Sequence, residues 1–222
     1  MAYLIAASKL WNPTIDKDLA KKLGKEFLIL RDPEKLTNGF INENKITKIF
    51  FVHWSHIIKV EIFDSVECII FHMTDLPFGR GGSPLQNLIV RGHKETKISA
   101  LKCQEGVDAG PIYLKRPLSL AGTAQEIYQR ASGIVEEMIV EIEIKKIEPV
   151  PQKGEVTLFK RRKPEDGNIS NLESLEEIYN FIRMLDADGY PPAFLEHKNL
   201  RIEFSDASLT SEFVEAKVRI KV

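Results

Sequence analysis

Little in this chain belongs to an extreme class of protein. Its 222 residues include two cysteines, Cys68 and Cys103, too few for a disulfide framework or a four-cysteine zinc site. A reducing compartment is the plain expectation. No apolar run approaches the ~18 residues of a membrane span. The opening Met1-Ala-Tyr-Leu-Ile-Ala-Ala also lacks the basic flank of a signal segment and reads as a first buried strand. Charge of either sign is not in excess, with 31 Lys+Arg against 32 Asp+Glu. Nucleic-acid binders usually carry a net basic field, and the one basic run, Lys160-Arg161-Arg162-Lys163, is followed at once by Glu165 and Asp166. Internal repeats and low-complexity tracts are missing too. These absences predict a cytoplasmic protein with neither a membrane nor a nucleic-acid partner.

What is present is an alternation. Apolar strand-like runs at Tyr3–Ala7, Glu26–Leu30, Ile49–Val52 and Cys68–Phe71 are separated by helical patterns. Pro13 starts a helix with Leu19, Leu23 and Phe27 on one face, a weak helix follows Pro33, and Pro84–Val90 is a short helix after a glycine loop. Extended runs at Lys97–Lys102 and Pro111–Lys115 precede a long helix from Thr123 to Ile144, with Thr123 and Glu126 spaced as a capping box. Strands alternating with helices predict an α/β fold, a Rossmann-like, mostly parallel sheet flanked by helices. Glu148-Pro-Val-Pro-Gln-Lys-Gly154 reads as a linker. It separates a domain at 1–150 from a small C-terminal α+β appendage at 155–222. The appendage holds a short strand (Val156–Phe159), a helix (Ser174–Leu185), a Pro-Pro turn and two antiparallel strands, Leu200–Phe204 and Lys217–Val222.

Chemistry concentrates in Phe71-His72-Met-Thr-Asp-Leu-Pro-Phe-Gly-Arg80-Gly-Gly-Ser-Pro84. A histidine closing a buried strand lies where open α/β sheets place their ligand crevice. Behind it, Arg80 and the Gly81-Gly82-Ser83 backbone suit an anionic ligand, with Ser83 as N-cap and Pro84 at the first helical position. The alternative is a purely structural glycine turn. Asp108, in the turn Glu105-Gly-Val-Asp-Ala-Gly-Pro-Ile112, is a carboxylate able to orient an imidazole and support it as a general base. His53-x-x-His56 has the spacing of a metal pair but no further ligand cluster follows, so no metal is expected.

The strand–His–Leu-Pro–Gly-Arg-Gly–Ser-Pro pattern, Glu95-Thr96 and the Val-Asp-Ala-Gly-Pro-Ile turn resemble the formyltetrahydrofolate-dependent formyltransferases. The 36 positions from His72 to Asp108 match that family's separation. The resemblance implies N10-formyltetrahydrofolate as cosubstrate and a one-carbon transferase. It makes His72 the catalytic histidine and Asp108 its partner. The loop Trp54-Ser55-His56-Ile57-Ile58 becomes the folate-binding loop, with Val107 and Asp108 as the other folate-contacting residues. One position departs: the family's Asn two residues before the histidine is Ile70 here. Asn12 is a candidate replacement donor, its alternative role being a helix cap before Pro13.

The Asp75-Leu-Pro-x-Gly-Arg-Gly-Gly-Ser-Pro loop and the short C-terminal extension resemble most the enzymes formylating a nucleotide-linked 4-amino-4,6-dideoxy sugar, of the pseudaminic-acid type, with a UDP-sugar expected. Arg80, Gly81, Gly82 and Ser83 would bind that sugar nucleotide, and such enzymes suggest a homodimer. Methionyl-tRNA or glycinamide ribonucleotide formyl transfer, and a non-catalytic folate- or nucleotide-binding relative, are the alternatives.

Overall fold

The computed structural model describes all 222 residues. In chain order the elements are β1 (Ala2–Ala6), α1 (Ile15–Leu23), β2 (Glu26–Leu30), α2 (Asn38–Glu43), β3 (Ile46–Phe51), α3 (Val60–Phe63), β4 (Glu67–His72), β5 (Arg80–Gly81), α4 (Pro84–Ile89), β6 (Glu95–Lys102), β7 (Ile112–Ser119), α5 (Ala124–Lys145), β8 (Leu158–Phe159), α6 (Leu175–Leu185), β9 (Ala193–His197), β10 (Leu200–Leu209) and β11 (Val214–Lys221). The chain forms two compact units. One comprises 1–80, 97–118 and 129–158, the other 81–96, 119–128 and 159–222.

The first unit is organised by a six-stranded sheet of order β2-β1-β3-β4-β6-β7. β1 pairs in parallel with β2 and β3, and β3 with β4. β6 runs antiparallel to β4, setting His72 opposite Ser99. The sheet is therefore mixed, its first four strands parallel and flanked by helices. The reason is composition. β1 is buried along its whole length and β3 ends in Ile49-Phe50-Phe51, all fully buried, the continuous apolar pattern of a strand covered on both faces. Burying each such side chain contributes about 1.5–3 kcal/mol. One face carries Leu4, Ile49, Phe51 and Cys68 in a single cluster. The other carries Tyr3, Phe27, Phe50 and Phe71, with ring centroids 5.4–6.4 Å apart. Phe27 thus belongs to β2, not to the face of α1, because Gly24 stops that helix in a left-handed conformation with φ 62°.

α5 begins as the capping box predicts, Glu126 N–H donating to Thr123 Oγ1 (3.3 Å) and Thr123 N–H to Glu126 Oε2 (2.8 Å). In the second unit the expected two strands are three, ordered β11-β10-β9 and antiparallel. Ala193–His197 is the added strand, directly after the Pro191-Pro192 turn. α6 opens with a second capping box, Ser174 and Glu177.

Candidate functional site

β4 delivers His72 as its last residue, 7% exposed, into a turn that folds back over it. Ser99 holds the turn, its hydroxyl donating to Thr74 O (2.7 Å) and accepting from Leu76 N–H (3.3 Å). Asp75 fastens the next stretch through Lys115 (2.5 Å) and Lys97 (2.9 Å). Burial alone would raise the Asp75 carboxyl, but hydrogen bonds from the two lysines bring it below the usual carboxylate range.

The imidazole has two distinct neighbours. Nε2 lies 2.8 Å from Gly79 O, and a carbonyl only accepts, so Nε2 carries a hydrogen. Nδ1 faces Asp108 Oδ2 at 3.5 Å, across a pair whose side chains are 8% and 14% exposed. This is longer than a good hydrogen bond. A proton taken up by the ring enters at Nδ1, beside a carboxylate that stabilises the resulting charge. Asp108 sits at φ 48°, a left-handed backbone that a short polar residue tolerates. Beside it Gly110 is obligatory, since a Cβ there would meet Lys102 O at 1.8 Å. The buried Cys103 thiol is pushed up to about 12, by burial first and the Asp108 charge second.

Residues far apart in sequence, His72 and Asp108, are thus brought together. Gln152, in the stretch read as a linker, joins them: its Oε1 accepts from Arg80 Nε (3.2 Å) and Nη2 (2.8 Å), and its Nε2 donates to Asp108 O and Gly110 O (both 2.8 Å). Nothing local in Pro-Val-Pro-Gln-Lys-Gly signals that role.

The glycine loop is used differently from the expectation. The N–H groups of Gly79 and Arg80 donate to Thr157 O, and that of Gly82 to Phe159 O. A Cβ on Gly81 would meet Phe159 O at 2.4 Å and one on Gly82 would meet Arg161 Cβ at 2.5 Å. The glycines therefore admit the chain's own segment at 157–161, and the Gly82 N–H assigned to an anion is taken by Phe159 O. Ser83, at φ 50°, does not cap α4 with its side chain; its Oγ accepts from Arg162 N–H (3.0 Å).

Asn12 has its own partners. Its Nδ2 donates to Glu136 Oε2 (3.0 Å) and its Oδ1 accepts from Thr14 N–H and Oγ1, so the amide anchors the start of α1, the alternative role its place before Pro13 offers. Ile70 is half-buried against Leu76, Leu101 and Ile112, a wholly apolar setting.

In the loop after β3, Trp54 packs edge-on against Phe51 (5.6 Å) and His56 (5.2 Å). Its Nε1 is buried with no hydrogen-bond partner. Ser55 is held by Ser8 Oγ through its N–H (2.9 Å) and hydroxyl (3.0 Å). His56 is exposed, Ile58 half-buried, and Ile57 93% exposed; on the Asp108 turn Val107 is 65% exposed. A cavity of about 230 Å³ is lined by Trp54, Ile57, Ile62 and Leu36 among others. The exposed branched side chains of this loop offer an apolar surface of the kind that holds a flat ring. His53, beside this loop, pairs with Ser132 Oγ (2.9 Å), and burial pushes its imidazole down to about 4, keeping it neutral. No group of three metal-ligating side chains occurs, and no helix is long and apolar enough to cross a membrane.

A solved structure of a methionyl-tRNA formyltransferase from Clostridium thermocellum is 47% identical, covering 100% of this chain and 99% of that one, with a TM-score of 0.95. The methionyl-tRNA formyltransferase of Thermodesulfovibrio yellowstonii is 32% identical over 168 residues, 70% of this chain and 54% of that protein. The chain spans little more than half the length of the curated relatives it matches. Residues 164–221 match the methionyl-tRNA formyltransferase C-terminal domain. The formyltransferase PseJ from Anoxybacillus kamchatkensis, solved with UDP-4,6-dideoxy-4-formamido-L-AltNAc and tetrahydrofolate, is 19% identical with a TM-score of 0.60, covering 87% of this chain and 95% of that one. That is a likeness of fold alone. These findings overturn both the nucleotide-linked amino sugar as acceptor and the exclusion of a nucleic-acid partner. In the basic run set aside because Glu165 and Asp166 follow it, Lys160, Arg161 and Lys163 are all exposed.

Proposed function

The chain belongs to the formyltransferase family, and we propose that it moves a formyl group from N10-formyltetrahydrofolate to the α-amine of methionyl-tRNA. The observation that carries this reading is the His72–Asp108 pair, 3.5 Å apart and nearly buried, in a chain 47% identical end to end to a structure named for that activity.

The cosubstrate supplies the formyl group, and Trp54, Ser55, His56, Ile57, Ile58 and Val107 are the residues that would hold it. His72 takes the proton that the amine loses as its nitrogen bonds to the formyl carbon, accepting it at Nδ1 while Nε2–H stays on Gly79 O. Asp108 stabilises the imidazolium so formed. The same Nδ1–H then returns the proton to the departing folate nitrogen. Ile70 contributes no donor to the developing oxyanion, so the imidazolium is the donor available. Lys160 and Lys163 are proposed to contact tRNA phosphates. Formyl transfer resides on this reading in residues 1–150, with 155–222 serving the acceptor.

The test is formyl transfer by the purified protein with methionyl-tRNA as acceptor. Formylmethionyl-tRNA is expected, and His72→Ala should slow its formation by at least about 10²-fold. Formate release without an acceptor, or folate binding without turnover, would overturn the reading.

A further inference from the structure

We infer that Gln152 is a positioning residue for the His72–Asp108 pair, so that the stretch between the two sequence-predicted domains is part of the reaction centre. The inference rests on the proposed roles of His72 and Asp108.

The stretch is anchored before it reaches the site. Val150 forms a two-way bridge with Ile112, Ile112 N–H donating to Val150 O (2.7 Å) and Val150 N–H to Ile112 O (2.9 Å). Two residues on, the Gln152 carboxamide meets donors on one side and acceptors on the other. Its oxygen takes both hydrogen bonds from Arg80, and its NH2 gives one each to the carbonyls of Asp108 and Gly110. A guanidinium has no acceptor and a carbonyl no donor, so the amide can stand only one way round. All four of its hydrogen-bonding positions are filled.

The two sides lead to the two partners of His72. Arg80 is bonded in sequence to Gly79, whose carbonyl holds Nε2. The other side grips the Asp108 turn itself, where Asp108 and Gly106 both have positive φ. One side chain therefore sets the spacing between the group that fixes the imidazole's hydrogen and the group that faces its free nitrogen. No other residue type fits both sides. A carboxylate repels the two carbonyls, an ammonium repels Arg80, and Asn is a methylene too short. At 3.5 Å the His72–Asp108 distance is sensitive to slippage of the turn, and a misplacement of about 1 Å is enough to cost about 10²-fold in rate.

The test uses the full chain with nitrogen-15-labelled histidine and follows the His72 ring at one fixed pH, a readout that needs no substrate. Gln152→Met removes all four hydrogen bonds, and Gln152→Glu keeps the Arg80 side while losing the Asp108 side. Both should move the His72 Nδ1 signal in the direction produced by Asp108→Asn. Adding Asp108→Asn to Gln152→Met should move it no further. With methionyl-tRNA as acceptor, kcat should fall about 10- to 100-fold while KM for the folate stays within about threefold. An Nδ1 signal unmoved by Gln152→Met but moved by Asp108→Asn would overturn the inference, whatever happens to thermal stability. If the wild type transfers no formyl group while the signals behave as expected, the proposed function fails and the positioning role stands.

Discussion

Two polar clusters in the sheet-bearing unit use the same vocabulary to different ends. At the starts of the strands, Lys48 lies 2.6 Å from Glu143 and 3.0 Å from Glu67, Tyr3 donates to Glu143 (2.7 Å) and Tyr113 to Glu67 (2.9 Å). After the end of β4, His72 and Asp108 face each other at 3.5 Å, and short hydrogen bonds go to the backbone that carries them. In the first cluster the side chains satisfy one another, and nothing is left to give or take a proton. Both tyrosines are pushed up, burial first and the neighbouring glutamate second. In the second cluster the frame is tight and the central pair is left slightly apart. A saturated network stabilises; a held but unclosed pair can react. Partial burial of charge by itself distinguishes neither.

The comparison is broken most severely at Lys48. Lys48→Met removes the cation shared by Glu143 and Glu67, leaving Glu143 to Tyr3 and Lys146 and the partly exposed Glu67 to Tyr113, and stability should fall by about 1–3 kcal/mol. The rate per folded molecule should be unchanged. The pH dependence should also weaken. In the wild type, burial would raise the Glu143 carboxyl, but the bonds from Lys48 and Tyr3 hold it below its ordinary value. Its contribution is therefore present above the unfolded value near ~4.3 and is lost as the pH falls through the folded one. In Lys48→Met the bond from Tyr3 and the charge of Lys146 still oppose burial, so the folded value moves up towards the unfolded one and less stability should be lost on acidification from pH 7 towards 4 than in the wild type. Denaturant unfolding across that range measures both effects.

A smaller effect is expected away from both clusters. Lys160→Ala and Lys163→Ala should leave folding and folate affinity intact and weaken acceptor binding. Each should reduce the slope of log K against log salt by about 1, as the loss of one phosphate contact does. Unchanged salt slopes would return those lysines to a solvated loop.

The two clusters were unequally legible. The strand ending in His72 and the turn carrying Asp108 announce themselves by local pattern, an apolar run closing on a histidine and a Gly-Val-Asp-Ala-Gly turn. The parallel strands were equally open, since continuous apolar runs such as β1 and Ile49–Phe51 of β3 fit a strand covered on both faces. What stayed hidden depends on partners distant in sequence. Gly81 and Gly82 look like a ligand cradle until Phe159 and Arg161 are seen against them. Gln152 looks like a linker residue because its three partners lie 42–72 positions away. Asn12 looks like a spare donor until Glu136, 124 residues on, takes its amide. The basic run Lys160–Lys163 is plain in the sequence, but the acidic residues that follow it make it read as a solvated loop.

The central claim is that His72 and Asp108 act as one unit in formyl transfer. Its most direct test is the single-turnover rate of formylmethionyl-tRNA formation for the wild type, His72→Ala, Asp108→Asn and the double variant. The account predicts a loss of about 10- to 100-fold for Asp108→Asn and at least about 10²-fold for His72→Ala, with the double variant no slower than His72→Ala alone. Losses that multiply in the double variant, or an Asp108→Asn enzyme as fast as the wild type, would contradict it.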